Sequence, residues 1–340
     1  MDGKHKESAP ASRIRAVWKR TVPLGLATAA AVTVGAGLDV VHRHQRAGEE
    51  QHDAQPAAKQ ERTEPRYVVG VRGTGAALVV RDVRTGNDVG LPVAAPQGRR
   101  FQRVAAKGDG SYVVASYGAR KVTFQHLLLD KQGRPKELTE IPEATVPGVS
   151  TSWSDLAVSA DGDRIAYVTY KGTAGRVEVL SLKTGTRKTW TARSPARIGS
   201  LSWSGGTLCL VWSPLRTTAG RTTVPRHQVR ALNTAGPSGD LKASRPVLML
   251  PKGAGAAFMS RDGRTIVAGA QQDTQLTLQA YSVQTGKPTK VLWRQKVGGD
   301  LSRLDPDHTG RHVLASVSDG RIYAQGTGTL PAADLTDAAW

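Results

Sequence analysis

A short pattern recurs along this chain at a spacing of about fifty residues. An Asp-Gly turn precedes an apolar run, and a Thr-Gly turn follows some twenty residues later. The clearest copies are Ser159–Val168 (SADGDRIAYV) with Ser181–Thr186 (SLKTGT), and Ser260–Gly269 (SRDGRTIVAG) with Ser282–Lys287 (SVQTGK). Such internal repetition marks an architecture in which one small unit cannot bury its faces alone and stacks on its neighbours.

From Tyr67 onward the chain reads as strands. β-branched or aromatic runs of a few residues alternate with Gly, Asp, Asn and Pro turns, and no stretch holds helical periodicity over three turns. Glycine supplies the positive φ that tight turns need, and aspartate bonds the neighbouring backbone. The runs group into four-strand units. One comprises Phe101–Ala106, Ser111–Ser116, Lys121–Leu129 and Lys136–Ile141. The next runs Ser154–Trp190, a third opens at Ile198–Trp203, a fourth is Ala256–Arg294 and a fifth begins at Leu301. Antiparallel four-strand units of this length predict the blades of a β-propeller. The first segment, Arg66–Val93, has three strands and no leading one. Leu335–Trp340 (LTDAAW) is similar to the leading segments Ser152–Ala157 and Ile198–Trp203. The expectation is therefore an all-β, six-bladed ring over 66–340, clasped by its last strand. Seven blades remain open if Arg216–Val247 holds extra strands.

The S-x-D-G-x-x-I-A turn and strand followed by L-x-T-G resembles the blade motif of bacterial WD-repeat-like and TolB-like propellers. The resemblance covers most of 67–340 and implies fold more than function. The Trp-Asp dipeptide and the Gly-His signature of WD repeats are missing, and Ala160 and Arg261 replace the proline that TolB-like motifs carry before Asp-Gly.

The N-terminus bears on the compartment. Val22–Leu38 (VPLGLATAAAVTVGAGL) has no charge, and Thr21, Val40 and Val41 extend it to roughly the twenty residues that span a bilayer as a helix. Lys4, Lys6, Arg13, Arg15, Lys19 and Arg20 precede it, and basic flanks stay on the cytoplasmic side. The reading is a basic cytoplasmic tail at 1–20, a single transmembrane signal anchor at 21–41 that makes the membrane one partner, a flexible polar linker at 42–65, and an extracytoplasmic propeller at 66–340. A secretory peptide cleaved near Val34-Gly-Ala36 is the alternative. His42, His44 and His52 fall in or beside the linker and read as solvated side chains.

Lys and Arg exceed Asp and Glu by 47 to 28. Residues 1–65 hold ten basic and eight acidic groups, whereas 66–340 hold 37 and 20, so the excess lies in the propeller. Composition rich in Arg and Ala accounts for part of it. The remaining field favours anionic partners. The candidate basic surface comprises Arg99, Arg100, Arg103, Arg216, Arg221, Arg226 and Arg230. Few aromatics accompany it, which argues against a stacking platform for nucleic acid. Anionic lipid heads, envelope polymers or a protein partner fit an extracytoplasmic domain better. A monomeric ring is expected.

No catalytic constellation stands out. The chain has no G-x-S-x-G elbow, no H-E-x-x-H helix and no phosphate-binding loop. Gly70, Gly73 and Gly75 have the wrong spacing for a dinucleotide turn. Asp161 with Asp163, and Asp305 with Asp307, are close carboxylates, yet turns use aspartate for local bonds, and both pairs are assigned to turn chemistry rather than to calcium or glycoside hydrolysis. Cys209, the one cysteine, sits in the apolar run Thr207–Trp212 as a small buried hydrophobe. No catalytic, cofactor-binding or metal residue is assigned, and no cofactor is expected. The function that follows is a non-enzymatic binding or scaffold module; an extracellular hydrolase or lyase acting on carbohydrate is the rival. That rival requires carboxylates from several blades to converge on the channel, and the leading strands read as mostly Ala, Val, Ser and Leu.

Overall fold

The computed structural model describes residues 65–218, 220–330 and 334–340. They form six blade sheets, each built on four antiparallel strands, one of which gains a short fifth strand in parallel, and a separate two-stranded hairpin. Blade 1 is Leu335–Ala339, Tyr67–Arg72, Ala77–Asp82 and Val93–Ala94. Blade 2 is Arg100–Ala106, Tyr112–Gly118, Lys121–Leu129 and Pro135–Pro147; blade 3 is Leu156–Val158, Arg164–Lys171, Ala174–Ser181 and Arg187–Thr191. Blade 4 is Ala196–Ser204, Thr207–Pro214, Gln228–Asn233 and Arg245–Met249. Blade 5 is Ala254–Met259, Thr265–Gln272, Gln275–Ser282 and Pro288–Lys296; blade 6 is Leu301–Pro306, Val313–Val317, Ile322–Ala324 and Gly328–Thr329.

The ring closes as the sequence predicts. Leu335–Ala339 pairs antiparallel with Tyr67–Arg72, with Val69 opposite Ala339 and Val71 opposite Asp337. Packing shows the closure independently. Each of the six junctions between adjacent blades holds its own buried apolar cluster, including blade 6 on blade 1 and blade 1 on blade 2. The period-2 alternation of a strand explains this. Val68 and Val79 face blade 6, while Val69 and Val80 face blade 2. Both faces of each sheet are covered, so the strands read as continuous apolar runs.

The long stretch Arg216–Val247 does hide extra strands, and they build no seventh blade. Arg216–Thr218 and Arg221–Thr223 form a separate exposed hairpin. Gly239–Asp240 adds in parallel to the outermost strand of blade 3. The repeated turns behave as their chemistry dictates. In Ser159–Arg164, Asp161 accepts from the Asp163 amide at 3.1 Å, Ser159 Oγ accepts from the Arg164 amide at 2.9 Å, and Gly162 takes φ +73°. Ser260–Thr265 repeats the arrangement. Cys209 is buried, and burial pushes its thiol up to about 12.

Among the described residues no helix is long and apolar enough to cross a membrane. The expected anchor at 21–41, the tail and most of the linker lie outside the described residues.

Candidate binding faces and the axial channel

All six innermost strands run the same way around the axis, which makes the two ends of the ring chemically different. Their starts pair with the ends of the second strands, as in Arg100 opposite Tyr117, Ala196 opposite Pro214 and Leu301 opposite Val317. One face therefore collects the strand 2–3 loops and the blade-to-blade connections. The other collects the Asp-Gly turns. They are called here the loop face and the turn face.

The loop face carries the candidate arginines, but not as one patch. Arg99 lies 3.3 Å from Glu140. Arg103 spends its guanidinium on carbonyls of the blade 2–3 connection, donating to Ser154 at 2.7 Å and Ser152 at 2.6 Å. Arg230 is likewise engaged, by Ser244 Oγ at 2.8 Å and Gln228 Oε1 at 2.9 Å, over the Trp212 ring. Burial lowers its pKa from the ordinary arginine value. Arg103 and Arg230 thus hold the fold together. Arg100, Arg216, Arg221 and Arg226 are exposed, and among the described residues none makes an ion pair. Three of these four belong to blade 4, where residues 196–253 hold eight Lys or Arg against Asp240 alone. Asp240 is itself occupied by Arg193 at 3.1 Å. Arg216 and Arg221 ride on the projecting hairpin, and Arg226 lines a cleft beside Trp212 and Lys242.

The channel holds groups that the sequence reading missed. Arg303, on the innermost strand of blade 6, lies buried among three carboxylates from three blades. Its Nη1 donates to Asp337 of blade 1; its Nε lies 3.4 Å from Asp155 of blade 3, and its Nη2 lies 3.3 Å from Asp305 on its own strand. It also donates to the carbonyls of Val104 in blade 2 and Leu156 in blade 3, each at 3.3 Å. Burial opposes the Arg303 charge, but the three carboxylates outweigh it and raise its pKa above the ordinary value. Asp155 and Asp337 also staple neighbouring blades. Asp155 Oδ2 accepts from the Leu201 amide of blade 4 at 2.7 Å, and Asp337 Oδ2 from the Val104 amide at 2.8 Å. Ser202 does the same for the Met259 amide of blade 5 at 3.0 Å.

Two expectations are corrected here. Asp307 holds its own turn, accepting from the Arg311 amide at 2.9 Å and lying 3.0 Å from His312 Nδ1. Asp305 does not share that role: it sits on a strand and points its chemistry into the channel. The leading strands, expected to be bland, bring three aspartates together. The signal was available in the small motif shared by Ser154-Asp155-Leu156-Ala157 and Thr336-Asp337-Ala338-Ala339, which places an aspartate at the same point of two innermost strands.

Asp305 differs from its partners. Its Oδ2 is buried without a hydrogen-bond partner. Burial, reinforced by the charges of Asp337 and Asp155 and opposed by Arg303, pushes its carboxyl up to about 7. It lines a funnel of about 770 Å³, counting space open to solvent, at the turn-face mouth. The loop-face mouth is lined by Arg103, Trp153, Arg197 and Arg303. His227 also lies on the loop face, its Nδ1 2.7 Å from Ser213 Oγ; burial and the Arg197 charge push its pKa down. Among the described residues no group of three His, Cys, Asp or Glu is disposed to hold a metal ion.

No protein-family model and no curated protein matches the sequence. Solved structures do. TolB from Acinetobacter baumannii aligns with a TM-score of 0.53 at 13% identity, over 81% of this chain and 66% of that one. A functionally unknown protein from Desulfotomaculum acetoxidans aligns equally well, at 0.53 and 12% identity, over 81% of this chain and 98% of that one. The likeness is one of fold. It agrees with the TolB-like propeller that the turn motif implied, and identity this low leaves ligand and activity to the residues themselves.

Proposed function

We propose that this chain is a non-enzymatic, membrane-anchored extracytoplasmic propeller that serves as a binding or scaffold module for anionic envelope components, engaged through its loop face. The observation that carries the reading is the basic surplus of blade 4, two of whose arginines, Arg216 and Arg221, stand on a hairpin that is exposed along both strands. A surface hairpin that adds nothing to the ring's core serves what lies outside it. Unpaired cations on such a hairpin attract polyanions and act over about 10 Å at moderate salt. The basic tail and apolar run at 1–41 support the membrane assignment and the side on which the ring lies.

The test is sedimentation of the full chain with vesicles of anionic phospholipid and, separately, with a poly(phosphodiester) polymer, at low and high salt. The triple variant Arg216→Glu, Arg221→Glu, Arg226→Glu should bind at least about tenfold more weakly without losing thermal stability. Binding that ignores both salt and the variant would refute the reading. Retention in the membrane after alkaline extraction tests the anchor.

One observation favours the rival, an extracellular hydrolase or lyase acting on carbohydrate: a carboxyl held near neutrality in a funnel is the kind of group that serves as a general acid. Glycoside hydrolysis needs a second carboxyl for the sugar, and Asp155 and Asp337 are both committed to Arg303 and to backbone amides. The binding reading therefore stands first.

A further inference from the structure

The channel mouth on the loop face holds a cation that the ring leaves unanswered. Arg197 stands on the innermost strand of blade 4, opposite Ser213, and is partly exposed. Among the described residues its guanidinium makes neither an ion pair nor a hydrogen bond. Arg103 lines the same mouth, and the carbonyls that hold it satisfy its donors without cancelling its charge. Both charges bear on the Tyr170 hydroxyl, which exchanges two hydrogen bonds with the backbone of Ile198. Asp155 is the one carboxylate in this lining, and it is engaged by Arg303 and the Leu201 amide. Asp305 keeps its proton to near pH 7. Below that point the mouth and the cluster beneath it set Arg103, Arg197 and Arg303 against Asp155 and Asp337, and one negative charge completes the count. The opening measures about 400 Å³, counting space open to solvent. Trp153 is exposed at its rim, the ring edge-on to Tyr170 at 5.9 Å. An unbonded guanidinium presents a planar fork that a carboxylate matches with two hydrogen bonds. A phosphate dianion brings more charge than the mouth leaves over.

We propose that the loop-face mouth binds one carboxylate, received by the fork of Arg197 beside the Arg103 charge, with Trp153 against the carbon body that carries it. This deepens the loop-face reading and rests on it for the side of the ring at which anions arrive. It differs in naming a discrete pocket on the axis in place of the projecting hairpin. The chemistry is shared by free organic acids and by the carboxyl end of a peptide.

Calorimetric titration of the full chain at pH 6.5 with benzoate, benzamide, N-acetylalanylalanine and inorganic phosphate tests the proposal. Saturable binding of a carboxylate is expected, with benzamide and phosphate at least about tenfold weaker. Arg197→Ala should weaken carboxylate binding about tenfold or more, and Arg197→Lys, which keeps the charge and loses the fork, should fall between. His227 keeps the test decisive if Arg197→Ala fails to fold. The Arg197 charge helps to hold the His227 pKa down, so an anion on Arg197 should raise it, read by proton resonance with His227→Gln for assignment. Binding of benzoate alone assigns a free acid, and binding of the dipeptide alone assigns a chain end. No saturable binding, an equal response to benzamide, tighter binding of phosphate, undiminished binding by a folded Arg197→Ala, or a His227 pKa that ignores benzoate would overturn the proposal. Polymer sedimentation without carboxylate binding sinks this proposal alone, and carboxylate binding without sedimentation sinks the hairpin reading alone.

Discussion

Asp305→Asn should make this propeller more stable at alkaline pH, and the size of the gain follows from the carboxyl's surroundings. The ordinary value for this group is 3.8, and burial beside Asp337 and Asp155 moves it to about 7. In the unfolded chain the carboxyl releases its proton near pH 4; in the ring it keeps the proton to near pH 7. Across that window the folded state binds more protons, so stability falls as pH rises. The contribution of the protonated form is complete below the unfolded value and gone above the folded one. Three units at 1.36 kcal/mol each amount to about 4 kcal/mol. Asparagine keeps the neutral contact and cannot ionise. The variant should match the parent near pH 4 and exceed it by up to about 4 kcal/mol near pH 8. Urea unfolding at several pH values, with coincident transitions by fluorescence and circular dichroism, reads the difference. A constant offset between the two proteins across the range would refute the reasoning, as would a variant less stable than the parent at pH 8.

Asp337→Ala takes from Arg303 its nearest carboxylate and leaves the Val104 amide without its acceptor in the interior, and should cost about 3–5 kcal/mol in the same assay; a loss under about 1 kcal/mol would show that the cluster is solvated. Deleting 335–340 opens two blade junctions at once, since Leu335, Ala338 and Trp340 pack toward blade 6 and Ala339 toward blade 2. Its melting temperature should fall further than that of any point variant, and an unchanged melt would sink the latch. Gly175→Ala places a Cβ 2.5 Å from Ile198 Cδ1 and should cost about 1–3 kcal/mol by overpacking, measured by urea unfolding.

Much of the fold was legible because the relevant forces are local. The Ser-x-Asp-Gly turns close through their own side chains, so Asp161 and Asp262 announce their hairpins within five residues. Apolar runs bounded by such turns locate the strands, and the missing strand before Tyr67 locates the latch. The channel was not legible for the same reason. Arg303, Asp337 and Asp155 are separated by 34 and 148 positions and meet only when blades 6, 1 and 3 stand around one axis. Asp305 looked like a turn residue because it lies two places before Asp307, and in a strand two places is the same face. The extent of the basic surface was misjudged in the other direction. Clustered arginines suggested one patch, whereas Arg103 and Arg230 are absorbed by carbonyl and hydroxyl groups that no local pattern reveals.

The ionic cluster is a poor choice if stability were all that mattered, because well-packed apolar side chains of equal volume commonly do as well as a buried ion pair. Its geometry suggests another role. Arg303 belongs to blade 6 and touches Asp337 of blade 1, a carbonyl of blade 2, and Asp155 and a carbonyl of blade 3. Four blades out of six are thereby gauged against one planar guanidinium. Apolar junctions are tolerant of sliding, since any greasy face covers any other. Charged hydrogen bonds are not, because a strand one step out of register leaves a carboxylate or an amide unpaired in the interior. The cluster therefore fixes the register in which the innermost strands meet. It also sets Arg303 in the lining of the loop-face mouth and Asp305 in that of the turn-face mouth. The device that sets the ring's register thereby gives its two mouths opposite chemistry.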